Sequence, residues 1–331
     1  MMNRNNWVKP LVILIITGIF LLVPVFSSSR YTISIGITIC AMAAFGTAWN
    51  IIGGYAGQIG FAHAAFFSIG AYSGFLCYLK LGLSPWIGLV IGVIISLMAS
   101  LLIGTITLKF KGPYFMFCTI AFIKCVETLL LWKKDITGGA AGLVIPVKGN
   151  NFATLIFKDT KYYYFIIVAM LAISLLVAWR VERSKAGYYM RAIKADINAA
   201  ESLGIEPKRY KILAFLISSA IVSAVGTVYA FYMAYIDPIS VGGIDLSTRI
   251  LAYAVVGGIG QLFGPLLGAL VLVPLNDFVN AMGTRGSGIL FYGLALILIM
   301  RFRPQGLISL ILDEEGNLRR WRGKTSKGAM R

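Results

Sequence analysis

The sequence predicts an all-α, polytopic membrane protein with about ten transmembrane helices, some of them broken or re-entrant at glycine-rich segments. Of its 331 residues, 58% are hydrophobic and 13% are charged, and the mean hydropathy is +0.82. Soluble domains are far less apolar. A third observation is the segment 50–74, where six glycines and the polar residues Asn50, Gln58 and His63 interrupt an apolar stretch. Polar backbone at membrane depth must be buried in protein or line a watery path, so this segment is predicted to lie near such a path.

The apolar runs long enough to cross a hydrocarbon core of about 30 Å define the elements in order. They are 8–26, 31–52, 60–79, 85–108, 114–132, 163–180, 212–235, 247–260, 262–280 and 287–301. The first run also resembles a signal peptide, but we expect an uncleaved span because many spans follow. Only a Gly-Gly-Ile-Gly sequence separates the eighth run from the ninth, so these two alternatively form one broken or re-entrant pair. The expected number of spans is therefore about ten, within a range of 8–10.

Basic residues decide the predicted orientation, because cytoplasmic loops carry an excess of Lys and Arg. Placing both termini in the cytoplasm puts most of the 30 basic residues on the inner face. We therefore expect a single membrane domain, 1–331, with a cytoplasmic loop at 182–211 and a basic cytoplasmic tail at 302–331. The net charge of +17 fits anionic lipid head groups better than nucleic acid.

The loop 182–211 contains a predicted amphipathic helix, 193–206. The apolar residues that recur at helical spacing are Ile193, Ile197, Ala200 and Leu203. Gly204 supplies a helix stop, and Pro207 follows it. Such a helix either lies on anionic lipid or seats in a groove of a cytoplasmic partner.

The sequence offers little for enzymatic chemistry. The nearest match to a phosphate-binding loop, at 323–325, has Leu318 where a glycine is required, so energy for transport is expected to come from another subunit or from an ion gradient. His63 is the only histidine, which excludes His pairs and metal clusters that need several His. We predict no catalytic residue, no metal and no cofactor in this chain. His63 is most simply a hydrogen-bonded structural residue, and its alternative role is to line the path.

Charged residues within the apolar runs are candidates for function. Lys124 and Glu127 lie three residues apart and either neutralise one another or take part in a proton relay. Asp277, near the outer end of the ninth run, is explained by interfacial water.

Six separated groups of motifs carry a resemblance to a known family. They are Gly54-Tyr55-Ala56-Gly57-Gln58 with His63-Ala64-Ala65-Phe66-Phe67 and Gly70-Ala71-Tyr72; Lys111-Gly112-Pro113-Tyr114-Phe115; Thr137-Gly138-Gly139 with Gly142-Leu143; Arg191-Ala192-Ile193 with Ala199-Ala200-Glu201-Ser202-Leu203-Gly204-Ile205; Gly257-Gly258-Ile259-Gly260 with Phe263-Gly264-Pro265; and Arg303-Pro304-Gln305-Gly306-Leu307. Over about residues 30–310, the sequence resembles the permease subunits of ABC-type importers for branched-chain amino acids.

This resemblance implies a transporter subunit that moves Leu, Ile or Val across the inner membrane and is not itself an enzyme. Its implied partners are a second permease subunit in a heterodimer, two cytoplasmic ATPase subunits that bind ATP and Mg²⁺, a periplasmic substrate-binding protein and membrane lipid. The helix 193–206 becomes the coupling helix that contacts the ATPase. Its coupling residues are Ile193, Ile197, Ala199, Ala200, Glu201, Leu203 and Gly204.

The residues predicted to lie near the translocation path are Asn50, Gly57, Gln58, His63 and Glu127. Two alternatives remain open. The chain could be an ion-coupled secondary carrier that uses Lys124, Glu127 or Asp277, and the solute of an importer could be urea or a short amide.

Overall fold

The computed structural model describes residues 8–26, 29–108, 113–146, 150–281 and 306–309, together with positions 293, 297 and 301. Its helices are α1 (Val8–Phe26), α2 (Arg30–Trp49), α3 (His63–Leu79), α4 (Pro85–Thr107), α5 (Pro113–Trp132), α6 (Lys134–Thr137), α7 (Thr160–Arg183), α8 (Lys185–Ala195), α9 (Ile197–Ser202), α10 (Pro207–Met233), α11 (Pro238–Gly242), α12 (Ile244–Gly257) and α13 (Gly264–Ala281). Two short strands, β1 (Leu143–Val144) and β2 (Tyr235–Ile236), pair antiparallel with Leu143 opposite Ile236.

Each of the first nine apolar runs is helical, and the tenth, 287–301, lies largely outside the described residues. Within the described part of the chain, five helices are long and apolar enough to cross a membrane. They are Arg30–Tyr55, Pro85–Thr107, Pro113–Trp132, Thr160–Arg183 and Pro207–Met233. The prediction of an all-helical, multi-pass membrane protein is confirmed, whereas the count of about ten spans stays a prediction.

Helix α4 has the side-chain distribution of a helix that faces lipid. Small residues spaced about four apart form its buried side, and large apolar residues form its exposed side. The buried side includes Gly88, Gly92, Ser96, Ser100 and Gly104, and the exposed side includes Val90, Ile94, Met98, Leu102 and Ile106. In a bilayer, small residues allow close helix packing while large apolar side chains contact lipid. The pattern is the reverse of a helix on the surface of a soluble protein.

Small residues at four-residue spacing bring the backbones of α3 and α4 close together. A Cβ added to Gly88 would lie 2.7 Å from Gly74 Cα, and one added to Gly92 would lie 3.0 Å from Gly70 Cα. The two backbones are therefore too close for larger residues. Helix α3 lies at the centre of the bundle, with most of its residues buried.

Helices α12 and α13 form a hairpin joined by the turn 258–263. Gly258 and Gly260 both have positive φ, which a tight turn requires and which glycine adopts without steric cost. A Cβ on Gly257 would overlap the Gly264 carbonyl, and one on Gly268 would overlap the Tyr253 carbonyl. The eighth and ninth runs are thus two helices in close backbone contact, an arrangement that fits either two spans or one broken or re-entrant pair.

Candidate functional site

The second apolar run does not end as a regular helix. After Trp49 the chain makes a π-helical turn over Asn50–Tyr55, all of it buried, and continues irregularly until α3 begins at His63. Side chains satisfy the irregular backbone, since Trp49 Nε1 donates to the Gly60 carbonyl at 2.9 Å and Thr119 Oγ1 accepts from Phe61 N at 3.0 Å. Single π-helical turns are frequent at functional sites. The broken segment predicted from the glycines is therefore present and shielded by protein.

Asn50 connects this broken segment to the α12–α13 turn. Its side chain is fully buried. The Nδ2 atom donates to the Gln261 carbonyl at 2.9 Å, and Oδ1 accepts from Gly260 N at 2.7 Å. One amide thus satisfies two backbone groups more than 200 positions away in the sequence, which fixes the turn against the end of the π-helical segment.

Lys194, in the last turn of α8, reaches the same place from the loop 182–211. Its Nζ donates to the Gly54 carbonyl at 2.8 Å. Gly57 has φ +70°, and a Cβ there would lie 2.8 Å from Lys194 Cγ, so only glycine lets the lysine stem pass. Asn50, Gly54, Lys194 and Gly260 together form what we call the polar junction. It links the loop, the broken segment and the α12–α13 turn.

The predicted helix 193–206 is divided, which corrects the expectation of one continuous helix. Helix α8 ends at Ala195 and α9 runs only from Ile197 to Ser202. The break is at Asp196, which is extended and whose carboxylate accepts from Asn198 N at 2.8 Å and Ala199 N at 3.1 Å. A side chain that caps a new helix competes with continuation of the old one. Pro207 likewise begins α10 at a position where proline is favoured.

The loop has one face packed on the bundle and one face open. Ile193 and Ala200 are buried, and Ile197 is half-buried. The other predicted coupling residues, Ala199, Glu201, Leu203 and Gly204, are exposed. Leu203 is 79% exposed and therefore lies off the buried stripe to which its spacing assigned it. Beside it is a groove of about 340 Å³ lined by Tyr189, Leu203, Gly204, Ile205, Glu206, Arg209 and Tyr210, which we call the loop groove.

His63 is buried and hydrogen-bonded within the protein. Its Nε2 lies 2.8 Å from Ser218 Oγ, and that hydroxyl donates to the Ala48 carbonyl at 2.7 Å. Because the hydroxyl proton is already used, we assign the proton of the histidine contact to Nε2. Among the described residues Nδ1 has no hydrogen-bond partner. The geometry is that of the structural histidine favoured by the sequence.

The other predicted path residues lie in different surroundings. Gln58 is half-buried, and its backbone N donates to the Ile52 carbonyl at 3.0 Å. Glu127 forms an ion pair of 2.6 Å with Lys124, which confirms the predicted mutual neutralisation, and it lies against Gly242 of α11. Of the five predicted path residues, Asn50 thus belongs to the polar junction and Gly57 lies against its Lys194. The assignment of all five to a path stays a prediction.

Lys194 is the junction residue that the sequence analysis did not select. In the helical pattern it is one of several charged residues on the polar side of the loop. Its partner is a backbone carbonyl 140 positions earlier, and no spacing rule connects two such groups. The spacing of residues in the loop therefore did not separate Lys194 from its other basic residues.

Comparison with known proteins gives a consistent result. A family model described as the permease component of a branched-chain amino acid transport system matches residues 30–300. The high-affinity branched-chain amino acid transport system permease protein LivM of Escherichia coli K12 is 29% identical over 307 residues, which cover 86% of this chain and 72% of LivM. LivM of Salmonella typhimurium is 28% identical over the same shares. LivH of Escherichia coli K12 is 23% identical over 279 residues, 78% of this chain and 88% of LivH.

No solved structure matches the chain. The family model nevertheless covers most of its length, including the broken segment, the loop 182–211 and the α12–α13 hairpin. The protein belongs to the family of permease components of branched-chain amino acid transport systems.

Proposed function

We propose that the chain is the transmembrane permease subunit of an ABC importer in a bacterial inner membrane, where it moves Leu, Ile and Val inward while separate subunits hydrolyse ATP. Membership of the family supports the transport role. The names of the similar LivM and LivH proteins support the substrates. The mismatch to a phosphate-binding loop at Leu318 supports a separate source of energy.

The proposed topology has about ten spans, with both termini and the loop 182–211 in the cytoplasm. One contact supports it independently of the charge count. Lys9, in the first turn of α1, forms an ion pair of 2.5 Å with Glu182, in the last turn of α7. The N-terminal end of the bundle and the loop 182–211 therefore share one side, as this topology requires.

The proposed partners are a second permease subunit, two ATPase subunits that hold ATP and Mg²⁺, and a periplasmic substrate-binding protein. The names LivM and LivH denote two permease proteins of one transport system in Escherichia coli, and this chain is similar to both. That similarity supports a heterodimer of permeases.

The observation that carries the proposal is the two-sided loop. Its inner face is tied to the bundle through Ile193, Ala200 and Lys194, while Leu203 and the loop groove are open. An apolar side chain that is 79% exposed beside a groove suits a protein partner. We infer that an ATPase subunit seats on this open face. Its movement passes through Lys194 to the broken segment, and through Asn50 to the α12–α13 turn.

The test places a bulky charge on the open face. Gly204→Arg and Glu201→Arg are each expressed with the ATPase subunits, and both recovery of the ATPase with the permease and leucine uptake by proteoliposomes are measured. The matched control is Gly82→Arg, because Gly82 and Gly204 both have positive φ and no atom within 4 Å of an added Cβ. We expect the ATPase to be lost in the first two variants and retained in the control.

Normal ATPase recovery and normal uptake in Gly204→Arg and Glu201→Arg would contradict the docking assignment. The ion-coupled alternative is tested in the same system by omitting the ATPase. Leucine uptake driven by a proton or sodium gradient without ATPase would identify the chain as a secondary carrier. Uptake that requires both ATPase and ATP supports the proposal.

A further inference from the structure

A second polar region lies on helix α12, away from the junction. Asp245 and Arg249 are the charged residues of α12, and both are exposed. They are four positions apart, so they project from the same face of the helix. Within the described part of the chain neither forms an ion pair. Charged side chains in a membrane bundle are costly and as a rule face a cavity or a path.

These two charges line a cavity of about 400 Å³ between α2, α3, α10, α11 and α12. We call it the α12 cavity. Ser240 and Tyr229 also line it, and its apolar lining residues include Met42, Phe67 and Leu246. Its volume lies within the range of small-molecule sites, and its combination of a largely apolar lining with a few placed polar groups is typical of them.

The chemistry of the wall selects a class of ligand. A guanidinium binds a carboxylate through paired, charge-assisted hydrogen bonds, and a carboxylate one turn away can accept from an ammonium group. An α-amino acid carries both groups on one carbon atom. The apolar wall then favours an aliphatic side chain over a polar one, because a polar side chain would lose its hydration there without a partner.

We propose that the α12 cavity binds a zwitterionic α-amino acid with an aliphatic side chain, with its carboxylate on Arg249, its ammonium on Asp245 and its side chain against Met42 and Phe67. This inference rests on the proposed function, and it adds to it a site within the permease that selects the solute. Neither Asp245 nor Arg249 was predicted as a site residue from the sequence. An arginine within the apolar run 247–260 is nevertheless a signal that marks intramembrane function.

The test uses a diazirine analogue of leucine as a photoreactive probe. The probe is irradiated with the complete transporter, and the labelled peptide is identified by mass spectrometry. We expect label on the cavity wall, competition by leucine, and no competition by isocaproate, which lacks the ammonium group. Arg249→Gln should reduce the labelling about tenfold or more, because it removes a charge-assisted pair of hydrogen bonds. Arg30→Gln, an exposed arginine on another helix, is the matched control.

A second measurement separates this inference from the proposed function. Leucine uptake is measured in proteoliposomes for the wild type and for Asp245→Asn, with solubility and thermal unfolding as checks on folding. If the wild type takes up no leucine, the proposed function fails. If the wild type takes up leucine but labelling in Arg249→Gln equals that of the control, or the label lies only outside the cavity, this inference is overturned and the proposed function stands.

Discussion

The polar junction and the α12 cavity both place polar groups in an apolar bundle, but they differ in whether those groups have partners within the protein. In the junction, Asn50 and Lys194 donate to backbone carbonyls at 2.8–2.9 Å. In the cavity, Asp245 and Arg249 are exposed and form no ion pair within the described residues. Hydrogen bonds from these junction groups connect distant segments of the fold, whereas charges at a cavity wall without a partner in the protein are available to a ligand. The polar junction is therefore a connection within the protein, and the α12 cavity is a surface for a ligand.

The largest effect is expected from breaking the junction with Gly54→Val. A Cβ on Gly54 would overlap the Asn50 amide oxygen and lie 2.8 Å from Gly260 N. Overpacking and loss of the Asn50 bonds should together lower the free energy of unfolding by about 2–4 kcal/mol, measured by thermal unfolding in detergent. Gly18→Val is the control, since no atom lies within 4 Å of an added Cβ there. Equal stability of the two variants would show that the junction is loosely packed.

A smaller loss of stability is expected when the Asn50 amide is removed without adding bulk to the junction. Asn50→Ala leaves Gly260 N and the Gln261 carbonyl without that partner, which should cost about 1–3 kcal/mol. Unfolding in a denaturant series measures the loss. Asn198→Ala, at an exposed asparagine of α9, should be close to neutral. A neutral Asn50→Ala would mean that the α12–α13 turn is held by its helix contacts alone.

Removing the hydrogen-bonding partner of His63 should lower the free energy of unfolding by less still. Ser218→Ala removes the hydroxyl that contacts His63 and donates to the Ala48 carbonyl, and we expect a loss of about 1 kcal/mol. If His63 has only this structural role, leucine uptake per folded transporter should be unchanged. A loss of uptake larger than the loss of stability would support the predicted place of His63 near the path.

The smallest effect on stability is expected in the cavity. Arg249→Gln removes no ion pair within the described residues, so the free energy of unfolding should change by about 0.5 kcal/mol or less. Thermal unfolding without amino acid gives the comparison with Asn50→Ala. A loss as large as that of Asn50→Ala would assign Arg249 to the scaffold and remove the distinction between the two regions.

Much of the scaffold could be predicted from local sequence, because apolar length and small-residue spacing report directly on a helix in lipid. The runs at 85–108 and 163–180 coincide closely with α4 and α7. The four-residue spacing of Gly70 and Gly74, a pattern typical of close helix packing, lies where α3 approaches Gly88 and Gly92 of α4. The Lys124–Glu127 pair was also predictable, since both partners lie on one helix face.

The sites were less predictable because their partners are distant in the chain. The partners of Asn50 lie at Gly260 and Gln261, and backbone groups leave no signature in a side-chain pattern. The break at Asp196 depends on a cap that competes with helix continuation. A purely periodic analysis counts Asp196 as one more polar position, and for the same reason it assigned Leu203 to the buried face.

The central claim is that the loop 182–211 drives the broken segment through Lys194, and the most direct measurement is leucine uptake per ATP hydrolysed by the complete transporter carrying Lys194→Met. Loss of a charge-assisted hydrogen bond should lower this ratio by about tenfold while ATP hydrolysis continues. Lys194→Arg should restore much of the ratio. Lys185→Met, at an exposed lysine of the same helix, should leave it unchanged. An unaltered ratio in Lys194→Met would contradict the account.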